Sequence, residues 1–374
     1  MDPIRLLREL VALPSVNPAF CATGAAGVGE RALADDLAAR AARCGFASER
    51  MPVLPGRSNL LLRLEPSAKP EHRVLLAPHL DTVGATPAQL RPVVRDGRMH
   101  GRGTCDTKGS IAAMFSALAS LARRGPRPAH TEIVLAALVD EEHAQAGSRA
   151  LARSGLKADL AIVGEPTRLK VVTAHKGNVW LRLETSGKAA HGARPELGRN
   201  AVLEMARVVQ LLETEYASIL RHQRHPLLGA ATISVGTIAG GVQPNIVPDR
   251  CEIHADRRTL PGEDAASVCR EIEALLRLHG RRARVADTKS EPCWPMATDP
   301  NLPLVREFMR HARQRRPWGV HYFCDASVLS QGGIPSVVFG PGDIAQAHTA
   351  DEWVDLRQVE EATALLTRFL RALP

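Results

Sequence analysis

Residues 73–85 read RVLLAPHLDTVGA. After Arg73, residues 74–78 form a short, continuous apolar run, the pattern of a strand buried on both faces. His79 and Asp81 then stand two residues apart, where an interior strand must meet a loop. A single histidine at a strand end is ordinarily a hydrogen-bonded surface or core residue. The pair acquires meaning only if metal-type side chains recur at equivalent places in the chain.

Working outward, the early chain alternates helix and strand. Helical patterns cover 3–12 and 29–44, the second stopped by Gly45, and strands are predicted at 59–64 and 73–78. A helix at 109–123, a strand at 132–139, a helix at 147–153 and a strand at 159–164 continue the series. Short apolar strands separated by helices predict an α/β layer with a mainly parallel sheet and helices on both faces. The texture changes near 174, where 178–186 (NVWLRLETS) alternates like a half-exposed strand. A helix (199–216), strands (230–238 and 249–257), a helix (263–278) and a strand (281–287) follow, the β-α-β-β-α-β order of a ferredoxin-like unit. The end returns to the first texture, with a helix at 302–313, a strand at 335–339 and a helix at 354–372. The expected organisation is a catalytic α/β domain, 1–173 and 286–374, interrupted by an α+β domain, 174–285.

Composition narrows the function classes. Aromatic residues are only 3% of the 374, against 45% apolar overall, so the core is expected to be aliphatic. The net charge of +8 is spread along the chain, with no basic block interleaved with aromatics. That argues against a nucleic-acid partner and leaves a general attraction for small anions. No stretch approaches the ~20 apolar residues of a membrane span, and the start lacks the signal-peptide pattern. Seven scattered cysteines with no CxxC pair fit a reduced, cytoplasmic protein.

The strand ends can now be compared. Strand 73–78 leads to His79 and Asp81, 132–139 to Asp140-Glu141-Glu142, 159–164 to Glu165, and 335–339 to a loop carrying His348. The loop GRGTCDTKG (101–109) places Asp106 just before a helix. Open α/β sheets bind ligands at the carboxyl ends of their strands, so these imidazoles and carboxylates are expected on one edge. Nitrogen and oxygen donors without thiolate suit a zinc-like ion. The set is too rich for one ion and suits two sharing a carboxylate; Cys105 is read as packing.

HLDTV (79–83), GRGTCDTKG (101–109), DEE (140–142), GEPT (164–167), HKG (175–177), AAHGARPELGRNA (189–201), GGVQPNIVPD (240–249), DRRTLPG (256–262) and GPGDIAQAHTADE (340–352) occur in this order. Together they resemble the dinuclear zinc aminoacylase and metallopeptidase family that includes acetylornithine deacetylase, succinyl-diaminopimelate desuccinylase and carboxypeptidase G. The resemblance covers nearly the whole chain. It implies two divalent metal ions, zinc first and cobalt as the alternative, with Asp106 bridging them. His79 and Glu165 would complete one site, Glu142 and His348 the other. It further implies that Asp81 orients the His79 ring, that Glu141 is the general base, and that the Asp106-Thr107 peptide is cis. In the inserted domain, His191 would stabilise the oxyanion, Arg258 would bind the substrate carboxylate, and Asn245 would be a second substrate contact. The family also implies that this domain is a lid through which the protein forms a homodimer.

Within the family, the GPGDIAQAHTADE stretch is most similar to the acetylornithine deacetylase branch. The desuccinylase branch shows Ser-Asp-Ala-Arg where this chain has Cys324-Asp325-Ala326-Ser327, so its arginine is missing. The expected substrate is a small N-acyl amino acid, N-acetylornithine first and N-acetylcitrulline next. A desuccinylase, a carboxypeptidase or a dipeptidase with the same centre remains an alternative. A non-catalytic binding paralogue would have lost a ligand or the base, and none is missing.

Overall fold

A computed structural model describes residues 1–21, 28–123 and 127–374. The chain divides into two compact units: Met1–Thr173 with Thr298–Trp318 and Cys324–Pro374, and Ala174–Ala297 with Gly319–Phe323. No helix among the described residues is long and apolar enough to cross a membrane.

A mixed sheet organises the first unit. Its strands lie in the order Ala47–Leu54, Arg57–Leu64, Thr131–Ala137, His72–Pro78, Leu160–Gly164, Ser336–Val338 and Val172–His175. The four from Thr131–Ala137 to Ser336–Val338 run parallel and are buried almost throughout, as continuous apolar runs require. The edges are antiparallel. Ala47–Leu54 and Arg57–Leu64 form a hairpin because only Pro55 and Gly56 (φ 71°) separate them. The first of these strands (ASERMPVL) is mostly exposed and has no clean apolar alternation, so the sequence did not announce it. Val172–His175 and the short buried helix Asp325–Gln331 were likewise not anticipated.

Local chemistry sets the helix ends. The Asp2 carboxylate accepts from the Ile4 and Arg5 amides and caps Pro3–Ala12. Gly45 (φ 77°) closes Arg31–Cys44 with its N–H on the Ala41 and Ala42 carbonyls. Lys108–Arg123 is buried on nearly every side, which explains its run of small and apolar residues. The core is mainly aliphatic, with aromatic contacts where Phe46 meets Phe115 and where Phe308 meets Phe339 and Phe369, the last two with ring centroids 5.1 and 4.8 Å apart.

The second unit is an antiparallel sheet in the order Thr232–Gly240, Arg250–Thr259, Gly177–Ser186, Arg284–Asp287. With helices Ala201–Leu211 and Ala265–Leu278 between its strands, it has the ferredoxin-like order. Val179, Leu181, Leu183 and Thr185 point into its core, and Trp180 points out. The helix expected over 199–216 is regular only to Leu211; a wider turn, Leu212–Tyr216, joins it to Ala217–His222.

Phe308 is fully buried at the centre of the aromatic contacts. Phe308→Ala is expected to destabilise the first unit by about 3–5 kcal/mol, read as a lower denaturant midpoint.

Candidate metal centre

Backbone pairing delivers the first side chain. Beyond Pro78 the strand makes one more parallel bridge, His79 to Leu138, and the Leu80 amide donates to the Leu138 carbonyl at 2.7 Å. His79 is therefore fixed at the last rung of the sheet. Asp106 arrives by a different route. Glu352 accepts from the Gly103, Cys105 and Asp106 amides at 2.9, 2.8 and 3.1 Å, and from Arg102 Nη1 at 2.8 Å. One buried carboxylate thus holds the whole glycine-rich loop. Gly103 sits at φ 82°, where a Cβ would also come within 3.0 Å of the Lys108 and Thr82 side chains. The Asp106-Thr107 peptide is cis.

Asp106 is shared between two imidazoles. His79 Nε2 lies 3.0 Å from its Oδ1, and His348 Nε2 lies 3.3 Å from its Oδ2. Glu165 Oε1 is 3.9 Å from His79 Nε2, and Glu142 Oε2 is 2.9 Å from His348 Nε2. Among the described residues, two donor groups meet closely enough to hold an ion: His79 with Asp106 and Glu142, and His79 with Glu141 and Glu165. Glu141 therefore stands as close to the cluster as the expected ligands do. His348 is presented from a left-handed backbone (φ 63°), a conformation that bulky residues hold only where the surroundings enforce it.

Asp81 does more than face the His79 ring. Its carboxylate is 3.5 Å from His79 Nδ1, while its own backbone carbonyl, at 2.9 Å, is the hydrogen-bond acceptor. The carboxylate instead accepts from the Glu141 and Glu142 amides at 3.0 and 3.1 Å, and from Asn17 Nδ2 at 2.7 Å. Asp81 thus ties the strand carrying His79 to the turn carrying both glutamates. That turn begins with Asp140 in a left-handed conformation (φ 68°). Asn17 Nδ2 reaches Asp140 Oδ1 at 3.0 Å, Arg57 Nη1 pairs with it at 2.9 Å, and Arg57 Nη2 pairs with buried Glu30 at 2.5 Å. Asn17, Glu30, Arg57 and Glu352 were missed by the sequence reading. Only Glu352 lay inside a stretch singled out there.

The donor set fits divalent cations. Asp106, Glu141, Glu142 and Glu165 face two imidazoles, and the buried Glu142 Oε1 has no hydrogen-bond partner. Burial, with Asp106 nearby, raises Glu142 to about 7. Burial and neighbouring carboxylates push Glu141 and Glu165 well above the usual range. Hydrogen bonds to Asp106 and Glu142 lift His348 to about 10. Uncompensated buried negative charge is costly, and a cation there removes that cost.

The remaining candidates lie elsewhere. Cys105 is buried with its thiol donating to the Asp343 carbonyl, as packing. His191, Asn245 and Arg258 belong to the second unit. His191 and Asn245 are exposed on adjoining segments, joined by the Gly192 amide on the Asn245 carbonyl at 2.7 Å and by a bridge from His191 to Ile246. Arg257 is fully buried against Tyr216 and Glu263. Arg258 is partly exposed, with Nε on Asp256 at 2.8 Å.

Without an ion, His348 holds a proton at neutral pH and Glu142 holds one part of the time, and an ion must displace them. Metal affinity is expected to rise from pH 6 to pH 8, with proton release detected by calorimetry in buffers of different ionisation enthalpy.

Residues 75–372 match the model of Peptidase family M20/M25/M40. An acetylornithine deacetylase of Myxococcus xanthus is 32% identical over 361 residues, 90% of each chain. One of Proteus mirabilis (strain HI4320) is 30% identical, covering 98% of this chain and 95% of its own. The crystal structure of the aminopeptidase PepT from Bacillus cereus ATCC 10987 shares the fold, with a TM-score of 0.77 at 23% identity over 99% of this chain and 97% of that one. With its carboxylates and imidazoles gathered at the strand ends, the chain belongs to peptidase family M20/M25/M40 and is a metal-dependent hydrolase.

Proposed function

We propose that the protein deacetylates N-acetylornithine, giving ornithine and acetate, with two divalent ions, zinc first and cobalt as the alternative. The observation that carries this reading is Asp106 with one oxygen toward each of two imidazoles, the arrangement of a carboxylate shared between two ions. His79 and Glu165 would hold one ion, Glu142 and His348 the other. Bound there, the ions would supply an acidified water and polarise the amide carbonyl. The naming of relatives that match over nine-tenths of the chain supports the substrate. Seven unpaired thiols fit a cytoplasmic setting.

The chain's own groups do the rest. Glu141, whose carboxyl burial and neighbouring carboxylates push well above the usual range, takes a proton from water and returns it to the leaving amine. Asp81 keeps Glu141 in place through its amide. His191 Nδ1 accepts from the Ala193 amide at 3.1 Å, so the proton of the neutral ring sits on Nε2. That N–H donates to the tetrahedral oxyanion, an interaction worth about 10²–10³-fold elsewhere. Arg258, with its terminal nitrogens left over, pairs with the substrate carboxylate bidentately, and Asn245 adds a second contact. N-acetylcitrulline differs only at the far end of the side chain and is the nearest competing substrate.

The inserted unit is proposed as a lid and dimer interface. Thr232–Gly240 is an edge strand with Ile238 57% exposed, and Val242 beyond it is 88% exposed. An open edge of this length is a template for a second strand.

Turnover of N-acetylornithine, N-acetylcitrulline, N-succinyl-diaminopimelate and a dipeptide, with and without added zinc or cobalt, tests the substrate. N-acetylornithine is expected to be the preferred member; metal-independent or absent turnover of all four would defeat the reading. Glu141→Ala is expected to lose about 10²–10⁴-fold in kcat while binding metal as before, and loss of metal would make Glu141 a ligand. For the dimer, light scattering of Ile238→Lys is expected to give monomer where the parent chain gives dimer.

A further inference from the structure

The segment after helix Pro303–His311 reads ARQRRP (312–317). It curls beside the helix to border an open groove of about 550 Å³. Arg306 and Arg310 from the helix and Arg313 and Arg315 from the loop line it, along with Asn301 and Gln314, and no carboxylate does. Arg310 pairs with Glu307 outside the lining. Among the described residues, Arg306, Arg313 and Arg315 make no ion pair.

The loop is fixed. Gln314 Oε1 accepts from the Val171 amide, and its Nε2 donates to the Val171 and Arg316 carbonyls, all at 2.8 Å. Arg313 is held at φ 52°, a conformation that is uncommon for residues other than glycine. Arg306, Arg313 and Arg315, without a carboxylate partner among the described residues, thereby stand around one concavity, and Arg310 adds a guanidinium already paired with Glu307. Nothing in the packing of the loop requires positive charge at these exposed positions.

We propose that this groove binds a small polyanion carrying two or more phosphate or carboxylate groups, at a site separate from the metal centre. Guanidinium forks match both kinds of oxyanion bidentately. One oxyanion would engage only one or two of the four arginines, and the groove exceeds the size of a single phosphate. A polynucleotide fits poorly, because the arginines are confined to 306–315 and no aromatic side chain lines the groove.

The test is calorimetric titration of the metal-loaded protein at constant ionic strength. Tripolyphosphate and citrate are compared with orthophosphate and acetate. The expected result is saturable one-to-one binding of a multivalent probe, tighter than its monovalent counterpart; whichever of tripolyphosphate and citrate binds tighter assigns the anion as phosphate or carboxylate. Arg306→Ser with Arg315→Ser should weaken it about tenfold per guanidinium removed. Arg8→Ser with Arg95→Ser, which removes the same charge elsewhere, should leave it unchanged. Both probes chelate metals, so Asp106→Asn is included and is expected to retain binding. Absence of saturation, equal weakening by the control pair, or loss of binding in Asp106→Asn overturns the proposal. Affinity that grows with the length of an RNA oligonucleotide also overturns it, assigning the arginines to nucleic acid.

Discussion

Concentrated negative charge at the end of a buried sheet is the constraint on which this molecule turns. Asp106, Glu141, Glu142 and Glu165 stand within reach of two imidazoles, in surroundings where an unpaired carboxylate is costly. A fold of marginal stability tolerates such a cluster only if something compensates. Protons do so in part, which is why His348 is lifted and the glutamates are raised. Divalent cations would do so more completely, and the orphaned Glu142 Oε1 marks where the protein's own hydrogen bonds run out. In this sense the electrostatic cost of the site and its affinity for metal are one property.

Holding that charge in a defined shape takes a second layer of buried polar groups. Glu352 gathers three loop amides and one guanidinium beneath Asp106. Asp81, Asn17, Asp140, Arg57 and Glu30 form a continuous network under the two adjacent glutamates. Breaking a buried pair of this kind by removing one partner typically costs about 3–5 kcal/mol, because the other charge is left alone. The left-handed backbones of Asp140 and His348 belong to the same scheme. Strain is kept where it aims a side chain and is offset by the hydrogen bonds around it.

The two units divide the physical work. In the first, the parallel centre of a mixed sheet, with a buried helix, supplies rigid strand ends from which donors project. In the second, a four-stranded sheet with one polar, exposed face presents His191, Asn245 and Arg258 on its loops and strands. Arg257 and Arg258 show how alternation along a strand separates a buried guanidinium from an outward one. One guanidinium is buried in its own unit's core, and the next is turned outward with two nitrogens to spare.

The sequence alone announced the alternation of helix and strand, the central buried strands, the ferredoxin-like order of the insertion and a gathering of His79, Asp81, Asp106, Glu141, Glu142, Glu165 and His348 as candidates at the strand ends and the glycine-rich loop. These were legible because apolar periodicity and strand-end chemistry are local signals. The exposed strand Ala47–Leu54 was not, since an edge strand need not bury either face. Only the tertiary structure decided how the set is held. Asn17 and Asp81 are 64 residues apart, and Glu352 lies 246 residues or more from the amides it receives. Hydrogen bonds over such separations leave no periodic trace in the chain. Tertiary packing also decided that Asp81, besides facing the His79 ring, receives the amides of the Glu141-Glu142 turn, because amide direction depends on the backbone path and not on residue type.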